Sequence, residues 1–329
     1  MPPVFFAFKK EEFKTETTLS AAVKTIRFNL IPIAPFRLDL TAWVLRRTAS
    51  NRIDYWNGKT YRRAMTLDSQ TVLVSVEQMT PPAQPELEVT LVCETPSHKT
   101  LLEAESALVR ILGLNIGLGG FYSMAEAEAD LGPLVERFRG VKPTRFPTLF
   151  ESIANAIVFQ QLSLNSAVSI LNRLAETHGV PFDCGENACP VFPDARSLAR
   201  LQAEQAKAVG VSANKARALV EGARIIIERN LSIDDFEKMD NELAFAELVK
   251  FRGIGRWSAD YILLRGLGRL DVFPRGDIGA RTGLNRWLRP GDKLSDSELE
   301  DKMSRWRGYA GLVYFHLLLR GLEEKGLIA

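Results

Sequence analysis

Two stretches of the chain combine residue types that could do chemistry. In Leu248-Val-Lys-Phe-Arg-Gly-Ile-Gly-Arg-Trp-Ser-Ala-Asp-Tyr-Ile-Leu-Leu264 an apolar helix is expected to stop at Phe251, a Gly253-Ile254-Gly255 turn follows, and a second amphipathic helix starts at once. Two glycines around one apolar residue let the backbone turn with nothing projecting outward, while Ile254 would pin the turn to the core. The amides of the turn and of the next helix's first turn then face solvent, an arrangement suited to a phosphate. Arg252, Arg256 and Arg265 would surround it with positive charge, as backbone-directed DNA contacts do. Taken alone, Gly-Ile-Gly reads more simply as a glycine cap joining two core helices.

The second stretch is Asp271-Val-Phe-Pro-Arg-Gly-Asp-Ile-Gly-Ala-Arg281. Pro274 and Gly276 break the chain, and Asp277 stands where a new helix begins. Aspartate is a favoured N-cap because it accepts the orphan amides of the first turn. A carboxylate held ionised there suits stabilising a developing positive charge better than donating a proton. The two roles are compatible.

The elements that must position these residues divide the chain. From about Thr25 to Glu94 the pattern is β-rich: Ile26, Phe28 and Leu30, then Leu38, Leu40, Ala42 and Val44, alternate and read as strands. Asn57-Gly58 marks a type I′ hairpin between 53–56 and 60–63. Further strands are expected at 71–77 and 86–93, with one or two helices besides. After Thr100 the period turns helical, with helices expected near 101–112, 150–162, 196–206, 214–229, 240–251, 256–266, 277–288, 296–305 and 309–325. The 329 residues, at roughly 150 per domain, give about two domains. The class is α+β, with an antiparallel β-rich domain over 1–105 and a helical domain over 106–329.

Composition narrows the chemistry. A charge sum of 42 basic against 40 acidic residues, or +2, is too small to imply nucleic acid by itself, so placement must decide. With 46% hydrophobic and 25% charged residues the chain is an ordinary globular one, and no run approaches a membrane span. Three cysteines, with Cys184 and Cys189 five apart and no nearby histidine, argue against a structural zinc, and His98, His178 and His316 are far apart. The chemistry is therefore expected to rest on carboxylates, with no metal. Met1 to Phe13 lacks the pattern of a secretory leader, so the expected location is cytoplasmic, or nucleoid-associated in a bacterium or archaeon.

A helix, a Gly-Ile-Gly hairpin, a helix and then Phe273-Pro-Arg-Gly-Asp277 resembles the helix-hairpin-helix superfamily of DNA base-excision glycosylases, and within it the 3-methyladenine DNA glycosylase II family of alkylation-repair enzymes. The likeness covers roughly Pro143 to Gly321, including Phe150-Glu151 and Ala156-Ile-Val-Phe-Gln-Gln161. The segment Pro35-Phe-Arg-Leu-Asp-Leu40 and Tyr55-Trp56 are similar to that family's extra N-terminal domain.

The resemblance makes Asp277 the essential catalytic aspartate and implies that the active site lies in the cleft between two lobes of the helical domain. Trp257 stands where bifunctional members carry the Schiff-base lysine, which implies base release without strand cleavage. Trp257, Tyr261, Tyr309 and Phe315 would wall the pocket for an extruded base, Phe315 at a position usually held by tryptophan, although the same residues also read as a helix-packing stripe. Aromatic faces suit an N-alkylated, positively charged purine. Gln160 would contact DNA or the base, Gly253, Ile254, Gly255, Arg256 and Arg252 would grip the backbone, and 143–146 lies where relatives insert a side chain into the vacated stack. The partner implied is double-stranded DNA with damaged bases, bound by a monomer with no membrane association. No cofactor is required; an alkali cation at the hairpin carbonyls is compatible with the resemblance. The rival readings are a glycosylase for oxidised or deaminated bases and a non-catalytic helix-hairpin-helix DNA-binding protein.

Overall fold

The computed structural model describes residues 12–14, 23–182, 189–289 and 291–328. Cys184, Pro290 and the first eleven residues lie outside the described residues. The chain runs β1 (Glu12–Lys14), β2 (Lys24–Leu30), α1 (Leu38–Arg46), β3 (Tyr55–Trp56), β4 (Thr60–Leu67), β5 (Gln70–Gln78), β6 (Leu87–Cys93) and α2 (His98–Leu112). The helices then continue as α3 (Gly119–Glu126), α4 (Leu131–Arg137), α5 (Leu149–Phe159), α6 (Leu164–His178), α7 (Ala195–Ala199), α8 (Ala203–Lys207) and α9 (Ala213–Glu228). Last come α10 (Ile233–Glu237), α11 (Asn241–Leu248), α12 (Arg256–Arg265), α13 (Ile278–Leu288), α14 (Asp296–Arg305) and α15 (Ala310–Glu323).

The strands form one antiparallel sheet in the order β1-β2-β6-β5-β4-β3. Residues alternate cleanly along β6, where Leu87, Val89, Leu91 and Cys93 are buried against α1 and α2. The Asn57 hairpin forms, but not as a type I′ turn. Asn57 pairs with Thr60, so the central residues are Gly58 and Lys59, and only Gly58 has positive φ (99°). That is the type II′ requirement, reinforced by the Asn57 side chain accepting from the amides of Lys59 and Thr60. A turn with two positive φ values joins β4 to β5 instead, at Asp68 (48°) and Ser69 (61°).

The alternating run Leu38, Leu40, Ala42, Val44 is not a strand. It is α1, buried on two sides: Leu38, Ala42 and Leu45 pack in the core of the sheet, while Leu40 and Val44 pack among the C-terminal helices. Two helical stripes, one at i, i+4, i+7 and the other at i, i+4, interleave to imitate a period of two. The single helix expected over 196–206 is likewise two short ones, α7 and α8, and α3, α4, α6 and α10 carried no distinct signal. Helix α2 runs unbroken from 98 to 112, and its buried residues belong to the sheet's core.

The helical body has two cores. One gathers α5 to α12; the other gathers α3, α4 and α13 to α15. The sheet is tied to the first by Arg63 of β4, whose guanidinium meets Asp54 at 2.9 Å and Glu151 of α5 at 2.6 Å, all three nearly fully buried. Burial pushes the Glu151 carboxyl up, and Arg63 pulls against it. No helix among the described residues is long and apolar enough to cross a membrane.

Candidate active site

A cavity of about 1240 Å³ opens where the two helical cores meet. The first lobe supplies the end of α5, the starts of α6 and α9, the hairpin and α12; the second supplies the start of α13 and one face of α15. Four basic side chains line it, Arg47, Lys215, Arg256 and Lys325, against one carboxylate, Asp277. The near-zero net charge therefore conceals a locally positive cleft.

Asp277 is the N-cap of α13, Oδ1 accepting the amide of Ala280 at 2.8 Å. Its other oxygen, Oδ2, accepts from Trp257 Nε1 and from the Tyr314 hydroxyl, each at 3.3 Å. Capping and positioning use different oxygens, so the local role costs the side chain none of its reach into the cavity. Burial, then the charge of Asp277, holds the Tyr314 hydroxyl well above the ordinary tyrosine range and keeps it a donor.

Trp257 and Tyr261 stack on one face of α12 with ring centroids 5.4 Å apart, and both line the cavity. Tyr309 and Phe315 do not. Tyr309 directly precedes α15 and packs on Phe121, while Phe315 is buried with the Arg265 guanidinium 5.5 Å from its ring. The aromatic that α15 presents to the cavity is Tyr314, one residue earlier, followed by Leu317, Leu318, Gly321 and Leu322. That i, i+3, i+4, i+7, i+8 stripe was the available signal, since one residue turns a helix by about 100°.

Gly253 has φ 79°, and Ile254 is buried as the hairpin needs. Gly255 is extended, and a β-carbon there would meet nothing within 4 Å. No internal contact therefore demands glycine at 255. Arg252 and Arg256 are exposed, the first 3.7 Å from Glu221 and the second 3.3 Å from Asp260. Arg265 departs from the sequence reading: it is 1% exposed, donates to the Val44 carbonyl and lies among Phe146, Tyr261 and Phe315, out of reach of any backbone phosphate. Its place on α12, nine residues beyond Arg256, carries it away from the turn and into the core.

Gln160 lines the cavity and its amide donates to the Gly253 carbonyl at 2.6 Å and to Ser258 Oγ at 2.8 Å, bracing the hairpin against α5. Among the described residues no group of three or more His, Cys, Asp or Glu could hold a metal. In the 143–146 segment Pro143, Thr144 and Phe146 are buried, and none of the four residues lines the cavity. Leu162 does line its rim; it is 38% exposed and follows Gln161, whose φ is 53°.

Two further cavity residues had no local signal. Lys215, at the start of α9, donates to the carbonyls of Val158 and Gln160 and so caps the end of α5. Arg47 follows α1 in the left-handed conformation and crosses to the cavity floor, where it donates to the Tyr261 hydroxyl at 2.7 Å and to Asn155 Oδ1 at 3.0 Å.

Residues 154–308 match the model of the HhH-GPD superfamily base excision DNA repair protein family. The chain is 28% identical over 204 residues to the DNA-3-methyladenine glycosylase of Bacillus subtilis, covering 62% of this chain and 67% of that protein. It is 30% identical over 169 residues to DNA-3-methyladenine glycosylase 2 of Escherichia coli, covering 51% and 56%. The chain thus spans about half to two thirds of the length of these two relatives. The solved 3-methyladenine DNA-glycosylase from Archaeoglobus fulgidus shares the fold, with a TM-score of 0.76 over 91% of this chain and 99% of that one at 24% identity. By this match and these relatives the chain is similar to HhH-GPD base excision DNA repair proteins of the alkylation-repair type.

Proposed function

We propose that this protein is a monofunctional DNA N-glycosylase that releases alkylated bases from duplex DNA and leaves an abasic site. The observation that carries the reading is Asp277, whose Oδ2 is held by Trp257 and Tyr314 at the edge of a positively lined aromatic cavity between two helical lobes. DNA lies across the hairpin, the damaged nucleotide is extruded, and its base enters beside Trp257 and Tyr261. Leu162, the exposed apolar side chain at the rim, fills the vacated stack. The C1′–N bond breaks with its electron pair leaving on the base, and Asp277 stabilises the positive charge left on the sugar. The cationic base leaves as a neutral molecule, and water adds to C1′ and releases its proton to solvent. The test is product release from duplexes carrying single defined lesions. Release of alkylated bases over oxidised or deaminated ones supports the reading, and no release from any lesion ends it.

The hairpin's part is tested by Gly255→Ala. Because the added methyl meets no protein atom, the variant is expected to fold normally and to weaken duplex binding about tenfold regardless of sequence, by holding the phosphate off the amides. Binding by the wild type should also fall steeply with salt. Unchanged affinity would reduce the turn to a helix connection.

Borohydride treatment during turnover is expected to trap no covalent complex, and the abasic product should stay intact until alkali is added. Of the two lysines lining the cavity, Lys215 is held by two carbonyls, and Trp257 stands where a lyase lysine would be. Trapping at enzyme-equivalent yield, lost in Lys215→Met, would replace water with an amine as the nucleophile.

A further inference from the structure

Asp277 carries its charge without a counter-ion. Among the described residues its two oxygens accept from neutral donors alone: the Ala280 amide on Oδ1 at 2.8 Å, and the Trp257 indole N–H and the Tyr314 hydroxyl on Oδ2 at 3.3 Å each. Of the basic side chains lining the cavity, Arg47 and Lys215 are held by neutral acceptors and Arg256 lies against Asp260. The distinction matters for the chemistry. A carboxylate paired with arginine or lysine presents a nearly neutral group to the sugar, whereas neutral donors favour the ionised form and leave its net charge in place.

The two donors on Oδ2 come from different lobes. Trp257 belongs to α12 of the first lobe and reaches Asp277 across the boundary, while Tyr314 lies on α15, which packs against α13 within Asp277's own lobe. The Tyr314 ring has a second contact. It meets Phe273 edge-on, with centroids 6.0 Å apart, at the root of the loop that delivers Asp277. Ring and hydroxyl thus grip the two ends of one short segment. At 3.3 Å the hydroxyl contact is long, as catalytic hydrogen bonds often are before substrate tightens them.

We propose that Tyr314 is a positioning residue that holds the Asp277 carboxylate aimed at the sugar of the extruded nucleotide. A base seated between the lobes presses on the contact that spans them and spares the one inside the second lobe, so Tyr314 is the partner that Asp277 keeps throughout. It acts through Asp277, with no contact of its own to the reacting atoms. The inference rests on the glycosylase reading above and adds the residue on which its aspartate depends.

Two measurements on Tyr314→Phe test it, a variant that removes one oxygen and keeps the ring against Phe273. Single-turnover release of 7-methylguanine should slow about tenfold or more, while lesion-duplex affinity and melting temperature stay at wild-type values. The second measurement needs no turnover. A duplex carrying a pyrrolidine abasic analogue, whose protonated ring nitrogen stands at the position of C1′, is compared with one carrying neutral tetrahydrofuran. The wild-type preference for the cation reports the aimed charge of Asp277; Tyr314→Phe should shrink it severalfold, and adding Tyr314→Phe to Asp277→Asn should change it by less than about twofold. An undiminished rate or preference in folded Tyr314→Phe, an equal loss of affinity for both analogues, or a further loss on top of Asp277→Asn overturns the proposal while leaving the glycosylase reading intact. If the wild type releases no alkylated base, it is the glycosylase reading that fails.

Discussion

Asp277→Asn is expected to lower single-turnover base release by about 10³-fold or more while duplex affinity stays within several-fold of wild type. Asparagine caps helices as well as aspartate does, so the Ala280 amide keeps its acceptor and α13 keeps its start. What changes is the second oxygen. The amide nitrogen would face the Trp257 indole N–H, donor against donor, and the negative charge opposite the sugar would be gone. The loss should therefore fall on the chemical step. Melting temperature and lesion-duplex binding, measured on the same preparation, separate a silent site from a broken fold. Wild-type excision by a folded Asn variant would leave Asp277 as a helix cap and nothing more.

Arg63→Met should cost about 3–5 kcal/mol of stability, because it strands Asp54 and Glu151 as buried carboxylates without a counter-charge. The Tyr61 hydroxyl also donates to Asp54 but is too weak a donor to replace a guanidinium. A fall in melting temperature of roughly 5–10 °C is expected. Adding Asp54→Leu and Glu151→Leu should recover much of it, since an apolar trio avoids the desolvation that the ionic one must overcome. Loss of less than about 1 kcal/mol in Arg63→Met would mean that the sheet is held to α5 by packing alone. Excision by the weakened protein bears on function as well, because only residues 48–53 separate Arg47 from Asp54 of this ion cluster.

Much of the site was legible because its signals are local. A glycine turn between two apolar runs, a proline and a glycine ahead of an aspartate, and aromatics four apart on one helix are each fixed by neighbours a few residues away. Backbone geometry and capping act over that range. Gly253, Ile254, Trp257, Tyr261 and Asp277 stand in the structure as such local rules require.

Where two layers meet one element, local rules failed. Helix α1 looked like a strand because it feeds two cores at once, and with that misreading Arg47 was lost from view. Phe315 and Tyr314 differ by one position on α15, and only the packing of that helix against Arg265 decides which of them faces the cavity.

By itself the amino-acid sequence determined the hairpin, the capped aspartate, the β-rich beginning and helical remainder, and the family these resemble. Tertiary structure alone decided that Arg265 is core, that Tyr314 rather than Phe315 joins Asp277, and that Arg47 reaches Tyr261 across 214 residues of chain. The physical reason is one of range. Turns, caps and helical faces are set by torsions and hydrogen bonds among near neighbours, whereas the lining of a cavity between lobes depends on how whole helices settle against one another, and a rotation of one residue exchanges the side chain that lines the cavity for one that fills the core.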